Sequence, residues 1–86
     1  MAAMAFTVAE AAEIAAKVGI EFGNEEFDLE QFCMGVNVEL EHGSRDPSTN
    51  VTNDDPVMTG KIALAHLREM PDYYTRLAAM EREAEG

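Results

Sequence analysis

The sequence predicts an all-α fold, a small bundle of three to four helices with a long polar loop between the second and third helices. Three observations predict it. Apolar residues recur three and four apart in several stretches, the period of a helix with one buried face. Those stretches open on Thr, Asp or Asp-Pro and close on Gly or just before Pro, the residues that start and stop helices. The first stretch is rich in Ala, the strongest helix former. At 86 residues the chain has room for one helical domain, 1–86, with a modest core.

The first helix is expected over Val8–Val18, with Thr7 as N-cap and Glu10 completing a capping box. Val8, Ala11, Ala12, Ala15 and Val18 form its apolar stripe, Ile14 lies at the stripe's edge, and Gly19 stops it. Small residues on that stripe let a neighbouring helix come close. From Ile20 to Phe27 the chain reads as a connector in which Phe22 and Phe27 fold back onto the core.

Asp28 caps the second helix and Gln31 completes the box, while Phe27 and Phe32 are placed to staple its start. The helix is expected to reach His42, with Gly43 beyond it, and its stripe is Leu29, Phe32, Cys33, Val36 and Leu40. Cys33 therefore reads as a small buried hydrophobe. Residues 44–55 form a polar loop of a length that is unusual unless something ties it down. Pro56 opens the third helix after the cap Asp55, and Pro71 limits it to about Glu69. A fourth helix is expected from Pro71 to about Glu83, with Asp72 near its positive end. Its buried face is Tyr73, Leu77, Met80 and Ala84, Tyr74 is turned outward, and residues 81–86 are frayed.

The formal net charge is −11, from 17 acidic and 6 basic side chains. Binding to nucleic acid or to an anionic membrane needs clustered Lys and Arg, so both partners are disfavoured. A basic protein partner or a metal cation is favoured. The acid is uneven, with seven Asp and Glu and no Lys or Arg between Glu21 and Glu41. The one cysteine cannot make an internal disulfide, which points to a reducing, cytoplasmic setting. The apolar start MAAMAF has no basic region before it and is soon followed by Glu10 and Glu13, so it reads as neither signal peptide nor membrane span.

The main chemical lead is a pair of acid–histidine spacings in mirror order. Glu39 precedes His42 by three residues, and Glu69 follows His66 by three. Each pair lies on one side of its own helix, and an antiparallel hairpin of the second and third helices would bring the four groups together. Two imidazoles and two carboxylates suit a divalent Zn, Mn or Fe ion. A homodimer would double the ligand set, as in carboxylate sites built inside bundles. On the third helix His66 lies opposite Lys61 and Arg68 and is expected to face inward, while Glu39 borders the apolar stripe and Gly35 leaves space one turn before it. Tyr73 and Asp72 are candidates for an outer shell around such a site. The competing reading needs no ion: a buried His and a partly buried Glu satisfy each other as a structural core pair.

In the long loop, Asp46, Ser48, Asn50, Thr52 and Asp54 alternate like the ligands of a calcium loop. The sixth position is Val51 where Gly is needed and the twelfth is Val57 where a bidentate Glu is needed, so a calcium loop is rejected. A turn network built on Asn50, Thr52, Asp54 and Asp55 accounts for the composition better.

Three runs, GVNVELEHG at 35–43, NVTNDD at 50–55 and KIALAHLREMPDYYTRL at 61–77, resemble a family of short bacterial and bacteriophage proteins of unknown function. The resemblance covers Phe32 to Glu81. By it, the motif positions are Glu39, Glu41, His42, Gly43, Asn50, Thr52, Asp54, Asp55, Lys61, His66, Glu69, Pro71, Asp72, Tyr73 and Tyr74. The family has no established activity, so the resemblance implies no function. Two expectations follow from the residues themselves. One is transition-metal binding through Glu39, His42, His66 and Glu69. The other is a non-enzymatic adaptor acting through an acidic surface that includes Glu25, Glu26 and Glu30. An enzyme is the weakest reading, since phosphate loop, dinucleotide fingerprint, nucleophile elbow and HExxH motif are all missing.

Overall fold

The computed structural model describes residues 6–85, so the leader reading of 1–5 and the fraying of Gly86 lie outside the described residues. Among the described residues four α-helices make up the fold: α1 (Val8–Val18), α2 (Leu29–Glu39), α3 (Pro56–Glu69) and α4 (Tyr73–Glu85). Two short 3-10 turns, Phe22–Asn24 and Leu40–His42, are the other helical elements among the described residues. No strand occurs among the described residues, and no helix among them is long and apolar enough to cross a membrane.

Local chemistry sets most of the boundaries. Thr7 and Glu10 bond each other's backbone N–H in a reciprocal capping box, at 3.1 and 3.0 Å. Gly19 ends α1 at φ 88°, a left-handed conformation that glycine adopts without steric cost. Asp28 accepts from Gln31 N at 2.9 Å and Asp55 from Met58 N at 2.8 Å. The second helix stops at Glu39 and not at His42; its last residues tighten into the 3-10 turn. The fourth begins at Tyr73 and runs through Glu85, so the expected fraying from Glu81 is not seen up to that residue, although residues 81–85 are exposed.

The α2 helix lies at the centre and packs against α1, α3 and α4. Its Phe32, Cys33 and Val36 join Ala11, Ile14, Ala15, Ala63, Leu67 and Tyr74 in the core. Phe22 meets Phe27 and Phe32 edge to face at centroid distances of 5.9 and 6.3 Å, which closes one end. On α1 the burial is rotated from expectation: Ile14 is in the core and Val8 is exposed. The cause is Gly60 of α3. A Cβ there would stand 2.7 Å from Ile14 Cγ2 and 3.1 Å from Val18 Cγ2, so α3 approaches α1 along its Ile14 side. Cys33 is buried, and desolvation pushes its thiol pKa up, consistent with a packing role.

The α4 face is also rotated. Tyr74 is buried, Tyr73, Leu77 and Ala78 are half-buried, and Met80 and Ala84 are exposed. The face expected from Tyr73, Leu77, Met80 and Ala84 is off by roughly 70° at ~100° per residue. Gly35 decides this, because it leaves on α2 the space that the Tyr74 ring fills.

Candidate functional site

A buried polar cluster is built on Glu39, the last residue of α2, whose carboxylate is buried. A buried carboxylate needs donors. The first is the Tyr74 hydroxyl of α4, at 2.6 Å from Glu39 Oε2. The second is His66 of α3, whose Nδ1 lies 3.1 Å from the same oxygen and 3.1 Å from the Tyr74 hydroxyl oxygen. One carboxylate thus ties α2 to α3 and α4 together.

The proton positions follow from the partners. Desolvation, and then the bond to Glu39, push the Tyr74 pKa well above the ordinary phenol value, so its hydroxyl keeps its proton and donates it. With that proton committed to Glu39, both oxygens near His66 Nδ1 are acceptors. Nδ1 therefore carries hydrogen, and in the neutral ring Nε2 holds the lone pair. Tyr73 stacks on the same imidazole, with centroids 4.5 Å apart and planes 8° from parallel. Tyr74 meets Tyr73 edge-on at 4.9 Å. The His66 side chain is 35% exposed, so it is turned inward at Nδ1 without being fully buried.

The structure brings together some of the residues expected from the sequence and leaves others apart. Glu39 and His66 meet as described. His42 is exposed, and its Nε2 stands 3.8 Å from Glu39 Oε1, beyond hydrogen-bond reach. Glu69 is exposed and is not among the bonded partners of Glu39. On α3, Ala63 and Leu67 are buried to one side of His66, and a residue three further on turns roughly 60° the other way, toward solvent. Among the described residues, no group of three or more His, Cys, Asp or Glu is placed to hold a metal ion. Asp72 is engaged with Arg76 through two bonds of 2.8 and 2.9 Å and not with the imidazole. Tyr74 was assigned to the surface by phase and is instead the third member of the cluster. The signal that would have found it was Gly35, the hole that admits its ring.

The long loop is tied down by its own side chains. Asn50 Oδ1 accepts from Asn53 N at 2.8 Å, and the buried Thr52 accepts from Asp54 N at 3.2 Å. Asp54 accepts from Ser44 N at 2.8 Å and from the Ser44 hydroxyl, which holds its pKa below the usual carboxylate range. A Cβ on Gly43 would collide with Asp54 Oδ1, so this closure requires glycine there. Val51 N donates to the His42 carbonyl at 2.7 Å, joining the loop to the end of the Leu40–His42 turn. Asn53 and Asp54 adopt positive φ, 50° and 63°, which Asn and Asp tolerate better than most residues.

Across the acidic stretch, Glu21, Glu26, Asp28, Glu30 and Glu41 are exposed. Glu25 is not available as expected, because Arg68 binds it through Nη2 at 2.8 Å and Nε at 3.3 Å. That bond holds the Glu25 pKa below its ordinary value.

No curated protein and no solved structure matches the chain. A family model described as a protein of unknown function (DUF5661) matches residues 11–83, and the chain belongs to that family.

Proposed function

We propose that this chain is a non-enzymatic accessory protein that meets a basic partner through its acidic surface. In this reading Glu39, Tyr74 and His66 form the polar pin that holds the bundle in one arrangement. The observation that carries it is the contrast between the two sets of acids. Glu39 is satisfied inside the protein. Glu21, Glu26, Asp28, Glu30 and Glu41 stand exposed in a segment without Lys or Arg. Exposed like charge of this kind gains most from a partner of opposite sign, and such binding weakens with salt.

The reading places the protein in a reducing cytoplasm of bacterial or bacteriophage origin, with the lone Cys33 and the sequence resemblance as support. A second copy is a poor occupant of the acidic face, since like would meet like. A homodimer would use another surface, and light scattering reports it. The test is affinity capture with the wild-type chain and with Glu21→Lys, Glu26→Lys and Glu30→Lys combined, at low and high salt. Glu25 is left alone because reversing it would break its bond to Arg68. Loss of a salt-sensitive basic partner in the variant is expected. Unchanged recovery overturns the proposal.

A further inference from the structure

Three sides of α2 are taken up by its neighbours. On one side Ala63 and His66 of α3 stand against Gly35 and Glu39. On the next, Tyr74 of α4 fills the space at Gly35 and Thr75 accepts from the Gln31 side chain. On the other flank Phe6, just ahead of α1, is bonded to Cys33 and Asn37. What remains is an outward strip of Glu30, Met34, Val38 and Glu41, which fall within roughly 80° of one another at ~100° per residue. Val38 is half-buried, and Met34 is 38% exposed. Glu30 and Glu41 are exposed, and neither has a hydrogen-bond or ion-pair partner among the described residues.

We propose that this strip docks a basic amphipathic helix of a partner protein, with the partner's apolar side chains over Met34 and Val38 and its Lys or Arg at Glu30 and Glu41. The inference narrows the acidic-surface reading above and rests on it. The order of the residues sets the chemistry. An apolar centre between two acids is complementary to a segment with an apolar centre and basic ends, and it repels a second copy of this chain. Glu26 and Asp28 beside the strip are exposed as well, and the stretch from Glu21 to Glu41 holds no Lys or Arg to offset them. Glu30 and Glu41 are eleven residues apart, so the strip is about 16 Å long, or three helical turns. A helix laid along it repeats its apolar positions every three or four residues, which matches the spacing of Met34 and Val38. Methionine suits such a contact, because its unbranched thioether adapts to the surface that covers it.

The test uses the full chain and two synthetic Lys/Leu peptides of one composition, about four helical turns long. One is ordered so that its leucines form a single helical face; in the other the same residues are scrambled and no face forms. The ordered peptide is expected to bind saturably, more tightly than the scrambled one, and less tightly as salt rises. In methyl NMR the Met34 and Val38 signals shift, while Met58 and Met80, exposed on α3 and α4, do not. This readout needs no variant. Met34→Ser weakens binding of the ordered peptide about tenfold, the loss for one methionine left uncovered, and leaves the scrambled peptide unaffected. Glu30→Lys combined with Glu41→Lys weakens both peptides. Equal binding of the two peptides, unmoved Met34 and Val38 methyls, or undiminished binding of the ordered peptide by a folded Met34→Ser chain overturns the helix docking. If the charge reversal still weakens both peptides, the acidic-surface reading survives that failure; binding indifferent to the charge reversal sinks both.

Discussion

Gly35→Ala isolates the fit between α2 and α4. In an ordinary helix interior, replacing Gly with Ala stabilises by about 0.5–1 kcal/mol. Here the new Cβ would stand 2.6 Å from Tyr74 Cε2, 3.0 Å from Tyr74 Cδ2 and 3.1 Å from the Ala63 Cβ. Ordinary contact begins near 3.4 Å, so the ring must retreat by most of an ångström. It has little room to do so, since Tyr74 is 1% exposed and edge-on to Tyr73. Retreat also stretches the 2.6 Å bond from its hydroxyl to Glu39. Overpacking costs about 1–3 kcal/mol, and a weakened hydrogen bond to a buried charge up to about 1.5–3 kcal/mol. Net of the helix-propensity gain, the variant should lose about 2–4 kcal/mol. Urea unfolding followed by far-ultraviolet circular dichroism measures it. Gly23→Ala is the control, because nothing lies within 4 Å of a Cβ there, and it should be close to neutral. If Gly35→Ala were as stable as the wild type, or more so, the argument that this glycine seats Tyr74 would be refuted.

Three further outcomes are expected. Gly60→Ala should destabilise by about 1–3 kcal/mol in the same assay, because its Cβ meets Ile14 and Val18 across the α1–α3 contact. Asp55→Ala removes the acceptor for Met58 N and should cost about 1 kcal/mol, with Asp55→Asn recovering most of it. The Glu25 pKa is depressed by Arg68, so its contribution is fully present above the ordinary carboxylate range and is lost as pH falls through the lowered value. Arg68→Ala should therefore make stability between neutral and acid pH less steep, as read by thermal melts across that range.

How much of this was legible in the sequence depended on whether the determinant was local. Caps are local, and Thr7, Asp28 and Asp55 marked the starts of α1, α2 and α3, with Gly19 ending α1. The meeting of Glu39 with His66 was expected, but not by the route that brings it about: Phe32 lies against Gly60, Gly35 against Ala63 and Glu39 against His66, so α2 and α3 pair in the same direction and not as the antiparallel hairpin that the mirror spacing suggested. The orientation of α4 was not. Tyr73 and Tyr74 are adjacent, their own helix offers little contrast between faces, and the choice is made by a hole at Gly35 on another helix. Glu69 stays outside the Glu39 cluster for a related reason. Three residues from His66 is close enough to share a side, but His66 sits at the rim of the buried face, and the turn carries Glu69 into water. Val8 and Ile14 exchanged roles because Gly60, distant in sequence, sets where α3 leans on α1.

The central claim is that one buried carboxylate couples three helices, and a double-mutant cycle on Glu39→Gln and Tyr74→Phe measures it most directly. With the hydroxyl 2.6 Å from Oε2, each single change should cost about 1.5–3 kcal/mol in urea unfolding, and the pair should cost less than the sum by at least about 1 kcal/mol. Costs that simply add would contradict the coupling, and with it the account of how α2 and α4 are held together.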